Sequence, residues 1–261
     1  MNRVLVTGAG GQLGQHLKKL ASAFPDLKFT FVTKEELDIT NEVALDTFFN
    51  VNPVDFCINT AAYTDVDGAE KLAQEAFKVN ATGVKLLALS CLKHHITLVH
   101  ISTDYVFDGK KEEGYYPEDA TNPINVYGAS KLQGETYIRH ILDQYAIIRS
   151  SWIYSETGKN FYTKISKKLR EEERIGVTNE QRGRPTHAKD LAEFILQWIE
   201  NENRSYGILH FAGPEIMTWY EFAKKIAREQ GLGHEGKIVK DNNYRSFAPR
   251  PAHSVLHMHK A

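Results

Sequence analysis

The sequence predicts an α/β fold, a doubly wound parallel Rossmann-type sheet with a smaller C-terminal substrate-binding lobe. Three observations carry this. Short apolar runs alternate with amphipathic helical patterns through the first half of the chain, as a parallel sheet covered by helices on both faces requires. The first run ends in a glycine-rich bend, "VTGAGGQLGQHLKKL", at residues 6–20. Beyond Arg149 the alternation loosens, with no repeat or low-complexity linker between the halves. The expected division is a dinucleotide-binding domain over residues 1–150 and a smaller lobe over 151–261, interleaved with the end of the sheet.

The elements follow in order. Residues 4–7 read as the first strand and 12–24 as the first helix. Residues 28–33 read as the second strand and 41–51 as the second helix. "DFCINT" (55–60) is a third strand, followed by one long helical pattern over 69–94. "TLVHIS" (97–102) is a fourth strand, 130–142 a helix, and "AIIR" (146–149) a fifth strand. In the second half, helices are expected at 161–173, 188–200 and 219–230, with a short strand at 208–211. Crossovers between parallel strands are right-handed, and ligands bind beyond the strands' carboxyl ends.

A formal net charge of −1 leaves no basic excess to attract nucleic acid or an anionic lipid surface. Neither is expected as a partner. No apolar run approaches the length of a membrane span. The opening "MNRVLVTGAG" reads as strand and turn, not as a secretory leader. Cys57 and Cys91 lie in apolar contexts and read as buried free thiols. A cytoplasmic location is expected. No metal cluster is expected either: His94, His95, His253, His257 and His259 read as surface or tail residues, the last three at a spacing that could bind a metal adventitiously.

Gly8, Gly11 and Gly14 stand three apart, after a strand and at the opening of a helix. The usual G-x-G-x-x-G spacing does not fit, because its last position falls on Leu13. The three-residue spacing still offers bare backbone at Gly8 and Gly11 and unpaired N–H groups at a helix start, which attract a pyrophosphate. On the glycines alone, a plain strand–helix turn remains the alternative. The second strand ends in Val32-Thr33-Lys34, without the acid that usually holds the adenosine ribose of NAD. Thr33 and Lys34 lean toward a 2′-phosphate, with a solvated lysine as the plainer reading.

"ISTDYVFDG" (101–109) ends the fourth strand, "NTAAYTDVD" (59–67) ends the third, and "YGASK" (127–131) opens a helix. Tyr127 and Lys131 are four apart and share a helix face. An ammonium beside a phenol is expected to lower its pKa toward working pH, so that it can protonate an oxygen forming at a reduced carbonyl. Ser102 or Thr103 could hold that oxygen.

Together "TGAGGQLG", "AAYTDVDGAE", "STDYVFDG" and "YGASKLQGE" resemble the extended short-chain dehydrogenase/reductase family. The likeness continues through "IRSSWIYS", "GKNF", "GRPTHAKDLA" and "RPAHSVL", so it spans most of the chain. It implies a catalytic trio of Thr103, Tyr127 and Lys131, with Tyr127 as acid, Lys131 on the nicotinamide ribose and Thr103 on the carbonyl oxygen. It implies that Gly8, Gly11, Gln12 and Leu13 contact the pyrophosphate and Asp38 and Ile39 the adenine. Ala61, Ala62, Tyr63 and Ser102 would line the cofactor channel. Val66, Asp67, Thr103, Asp104, Tyr127 and Trp152 would meet the substrate, and Asn80 a water or the backbone behind the site. The implied cofactor is NADPH, with NADH the alternative. The implied substrate is a dTDP-linked 4-keto-6-deoxy-sugar, reduced at C4 in nucleotide-sugar biosynthesis.

The resemblance also allows a homodimer, and it raises the expectation of a further helix after "MHKA" and a truncated lobe. The acid expected at Gln181 stands one step earlier, at Glu180. An epimerase or dehydratase on a nucleotide sugar is the nearer alternative, disfavoured by Asp104-Tyr105 after Thr103. A non-catalytic NADP-binding regulatory subunit is the more distant one.

Overall fold

The structure, a computed structural model, describes residues 1–231, 234–243 and 246–258; His259 lies outside them. Its centre is a six-stranded sheet. The strands are β1 (Asn2–Thr7), β2 (Leu27–Val32), β3 (Phe56–Asn59), β4 (Thr97–Thr103), β5 (Tyr145–Ser150) and β6 (Gly207–His210). They lie in the order β6-β5-β4-β3-β1-β2, and every pairing is parallel. All seven residues of β4 are buried. Its run "TLVHIST" is what a strand covered on both faces looks like.

Nine helices among the described residues are α1 (Gln12–Leu20), α2 (Glu42–Val51), α3 (Val66–Lys71), α4 (Ala73–Phe77), α5 (Val84–Lys93), α6 (Val126–Ile141), α7 (Phe161–Glu171), α8 (Ala188–Glu200) and α9 (Trp219–Glu229). Two apolar layers sandwich the sheet. Leu13 and Leu17 of α1 and Leu191, Ile195 and Ile199 of α8 cover one face with Val6, Ile58 and Ile101. Leu45, Leu87, Cys91 and Ile138 cover the other with Leu5, Leu98 and Ile147. α8 and β6 thus return the chain to the large sheet after residue 150. A separate cluster, with Ile165, Leu169, Phe222 and Ile226, packs α7 and α9 around the short parallel pair Ile175–Val177 and Ile238–Lys240.

The helical pattern over 69–94 is broken in the structure. Leu72 leaves helical geometry at φ −121°, ψ 48°, separating α3 from α4. Residues Lys78–Gly83 then form a π-helical turn, a local widening that accommodates an extra residue. Asn80 sits in that turn, fully buried, with its amide bonded both ways to the backbone of Tyr63 (2.9 Å each) and to Ser130 Oγ (3.0 Å). α6 begins at Val126, four residues before the periodicity indicates, because Asn125 caps it by accepting from Gly128 N at 2.7 Å. The earlier start brings Tyr127 and Lys131 onto its first two turns.

One buried ion pair ties α6 to the sheet. Arg149 donates through Nε and Nη2 to Glu135 at 3.0 and 2.7 Å, with both side chains almost wholly buried. Ser102 Oγ also bonds Glu135 Oε1, and Arg149 Nη1 reaches the Pro117 carbonyl at 3.2 Å. Removing one partner of such a pair strands the other charge in a low dielectric. Arg149→Met is therefore expected to lower unfolding stability by about 3–5 kcal/mol, read from urea unfolding by tryptophan fluorescence.

Candidate active site

The site lies at the carboxyl ends of β1, β3 and β4, where the strand order reverses between β1 and β3. The chain leaves β1 through Gly8 at φ +66°, a region that L side chains rarely adopt. A Cβ there would also lie 2.6 Å from Ala61 N, so this bend needs glycine twice over. Gly14, one turn into α1, sits against Ala9, where a Cβ would come within 2.7 Å. α1 starts at Gly11 with no side chain capping it and no acid in its first turn. Its first N–H groups and the positive end of its dipole suit an anion.

A cleft of about 690 Å³ opens there. Gly8, Gly11, Gln12, Leu13, Asp38, Ile39, Ala61, Ala62, Tyr63, Ser102, Tyr127 and Lys131 all line it. Thr33, Lys34 and Glu35 line it as well. The structure thus gathers every sequence-predicted cofactor residue around one volume. Glycine backbone, an uncapped helix start and Lys34 fit a phosphorylated dinucleotide.

Tyr127 is half-buried on α6, its phenol near enough to Thr103 at the end of β4 for that hydroxyl to affect its titration. Lys131 is buried, and its Nζ donates to the Ile101 carbonyl at 2.7 Å and lies 3.3 Å from His100 Nε2. The phenol corrects one expectation. Burial pushes Tyr127 up to about 12, with the Asp104 carboxylate adding to the rise and the Thr103 hydroxyl opposing it. Burial lowers Lys131 to about 8, against the pull of Glu135. In the protein by itself, desolvation outweighs any help the amine gives the phenolate.

The substrate residues expected from sequence divide into two groups. Thr103 and Asp104 are buried at the end of β4, beside Tyr127 and behind the cleft wall. Val66 and Asp67 begin α3, outside that wall. Asp67 does not point its carboxylate at the cleft. It accepts from Ala248 N at 2.8 Å and from Arg250 Nη1 and Nη2 at 3.1 and 2.9 Å. The segment around 246–258 is thereby tied to the start of α3, and also to the start of α6, where Asn125 Nδ2 donates to the Pro249 carbonyl at 2.9 Å. Trp152 has φ +49°, unusual for a bulky residue. Its ring lies flat on Trp219, centroids 3.5 Å apart, and Trp219 Nε1 donates to Gln181 Oε1 at 2.9 Å.

A family model described as the RmlD substrate binding domain matches residues 1–261. The chain belongs to that family. It is 37% identical to a dTDP-4-dehydrorhamnose reductase of Aggregatibacter actinomycetemcomitans, over 100% of this chain and 92% of the relative. It is 38% identical to the spore coat polysaccharide biosynthesis protein SpsK of Bacillus subtilis, over 98% and 89%. Among solved structures it resembles dTDP-4-dehydrorhamnose reductase from Bacillus anthracis in complex with NADP, with TM-score 0.93, 34% identity and coverage of 98% and 90%.

In this member of the RmlD substrate binding domain family, some neighbours of the cleft escaped sequence reasoning. Thr157, Gly158 and Lys159 line it from the second half of the chain. Gln12 is braced by that same segment, donating to the Ile153 carbonyl at 3.2 Å and accepting from Asn160 Nδ2 at 3.2 Å. The N-cap signal of Asn160 before "FYTK" was available, but its reach to Gln12 is a tertiary contact.

Asp104 offers a test of the site's electrostatics. Burial raises its carboxyl from 3.8 to about 7, against hydrogen bonds from Ser254 and Thr103. The folded protein therefore keeps this proton to a higher pH than the unfolded chain, so stability falls as pH rises from about 4 to about 7. Asp104→Asn removes that titration. Relative to the parent, the variant is expected to gain roughly 3–4 kcal/mol across this window, measured by urea unfolding at a series of pH values.

Proposed function

We propose that this chain is an NADPH-dependent oxidoreductase that reduces the C4 keto group of dTDP-4-dehydro-L-rhamnose to dTDP-L-rhamnose. The reading rests above all on Tyr127 and Lys131 sharing one face of α6 where it meets the end of β4 and the glycine cleft. The names of the relatives, and the NADP in the Bacillus anthracis structure, agree with it.

The roles follow from the groups. Gly8, Gly11, Gln12 and Leu13 hold the pyrophosphate with backbone N–H groups and the start of α1. Asp38 and Ile39 flank the adenine end, and Lys34 favours a 2′-phosphate, hence NADPH over NADH. Ala61, Ala62, Tyr63 and Ser102 wall the channel, and Lys131 holds the nicotinamide ribose. When bound, the nicotinamide supplies the hydride. Thr103 positions the sugar's C4 oxygen, and Tyr127 gives that oxygen its proton. A phenol held at about 12 remains protonated at neutral pH and so is loaded as an acid. Val66, Asp67, Asp104 and Trp152 are assigned to the substrate side, Asp67 through its Arg250 pair and Asp104 through its bond from Thr103, with the Trp152–Trp219 stack offering a flat aromatic face. Two buried free thiols and the absence, among the described residues, of a helix able to cross a membrane agree with a cytoplasmic enzyme.

NADPH oxidation with dTDP-4-dehydro-L-rhamnose tests this. The parent is expected to turn over, faster with NADPH than with NADH. Tyr127→Phe is expected to lose about 10²- to 10⁴-fold in kcat with its circular dichroism unchanged. Parental turnover in that variant would remove Tyr127 as the acid.

A further inference from the structure

Behind Lys131 lies a row of polar side chains that the proposed chemistry does not use. Thr7, Asn59 and His100 are register partners on β1, β3 and β4, so their side chains line up on one face of the sheet. All three are essentially inaccessible to solvent. Thr7 Oγ1 donates to Asn59 Oδ1 at 2.7 Å, Asn59 Nδ2 lies 3.0 Å from His100 Nδ1, and His100 Nε2 lies 3.3 Å from Lys131 Nζ.

The direction of this chain is set at one end. Ala61 N–H, a donor in every protonation state, points at Asn59 Oδ1 at 3.2 Å. Turning the Asn59 amide over would put two donors face to face, so Oδ1 stays on Ala61 and Nδ2 donates to His100. His100 Nδ1 is then the bare nitrogen. Burial is the main cause that holds the ring well below its ordinary pKa and therefore neutral, and its single proton sits on Nε2. That N–H faces Lys131 Nζ.

We propose that Asn59 and His100 are positioning residues for Lys131: Asn59 locks His100 as the Nε2–H tautomer, and that N–H addresses the lone pair of the lysine amine. An ammonium there would meet a donor with a donor. The amine instead satisfies every contact, giving one hydrogen to Ile101 O, accepting from His100 and keeping one hydrogen for the cleft. The other ionisable groups near Lys131 are Tyr127 and Glu135 on its own helix and Arg149 on β5. Glu135 favours the ammonium, and its charge is already shared with Arg149. The row thus opposes Glu135 and holds the lysine near its own midpoint, where it can both gain and release a proton. The catalytic consequence rests on the reading of the site given above; the tautomer and the lysine titration do not.

Side-chain nitrogen NMR of the ¹⁵N-labelled protein tests the tautomer, with the His100 signals assigned by their loss in His100→Gln. The expected spectrum is a neutral ring protonated at Nε2 from about pH 6 to 8. Asn59→Asp keeps the one acceptor oxygen that serves both Thr7 and Ala61 but makes the group facing Nδ1 an acceptor. It is expected to move the ring proton to Nδ1 and to raise the Lys131 midpoint, read from lysine ¹³Cε shifts, by about one pH unit or more. A parent ring protonated at Nδ1, a charged ring at neutral pH, or an unmoved Lys131 midpoint in folded Asn59→Asp would each overturn the inference. Should Asn59→Asp fail to fold, the parent spectrum decides alone. No NADPH oxidation by a protein showing the expected tautomer would overturn the proposed reaction and leave this inference standing.

Discussion

The site depends on the grip between α6 and the carboxyl end of β4. Three side chains spaced along α6 reach the last residues of one buried strand: Tyr127 to Thr103, Lys131 to the Ile101 carbonyl, and Glu135 to Ser102. Each contact lies inside the protein, where a lost partner leaves a desolvated polar group. The helix can therefore neither turn nor slide without breaking several at once. Close approach makes the grip tight. A Cβ at Gly134 would sit 2.2 Å from the Asn80 carbonyl, and one at Gly128 would sit 2.1 Å from that of Tyr105.

The same contacts connect reacting groups to the rest of the fold. Glu135 is shared between Ser102 and Arg149, and Arg149 stacks over Phe107 at 5.1 Å and reaches the Pro117 loop. Asn80 links the π-helical turn to Tyr63 in the cleft wall and to Ser130 on α6. Asp67 and Arg250 fasten the late segment to α3. The cleft is thus framed by elements far apart in sequence, tied by specific hydrogen bonds and ion pairs in addition to the apolar layers on the sheet.

Much of this was legible in the sequence because it is local. The glycine bend, the five early strands and the four-residue spacing of Tyr127 and Lys131 are read from neighbours along the chain. The resemblance to the extended short-chain dehydrogenase/reductase family added residues such as Asp38 and Ala62, which no local pattern singles out. What remained hidden is tertiary. Nothing in "FKVNATG" announces a π-helical turn, nor the contact of its Asn80 with Tyr63. Periodicity places the helix start later because apolar spacing does not register the Asn125 cap that begins the helix at Val126. The engagement of Asp67 by Arg250 spans 183 residues. The sign of the Tyr127 shift depended on burial that spacing alone does not report.

A crystal structure of the protein with NADP⁺ tests the central claim most directly. The account predicts the pyrophosphate on the N–H groups between Gly8 and Leu13, and the nicotinamide ribose within hydrogen-bond reach of Tyr127 Oη and Lys131 Nζ. A dinucleotide bound elsewhere, or one whose ribose lies against neither side chain while α6 keeps its hold on β4, would contradict it.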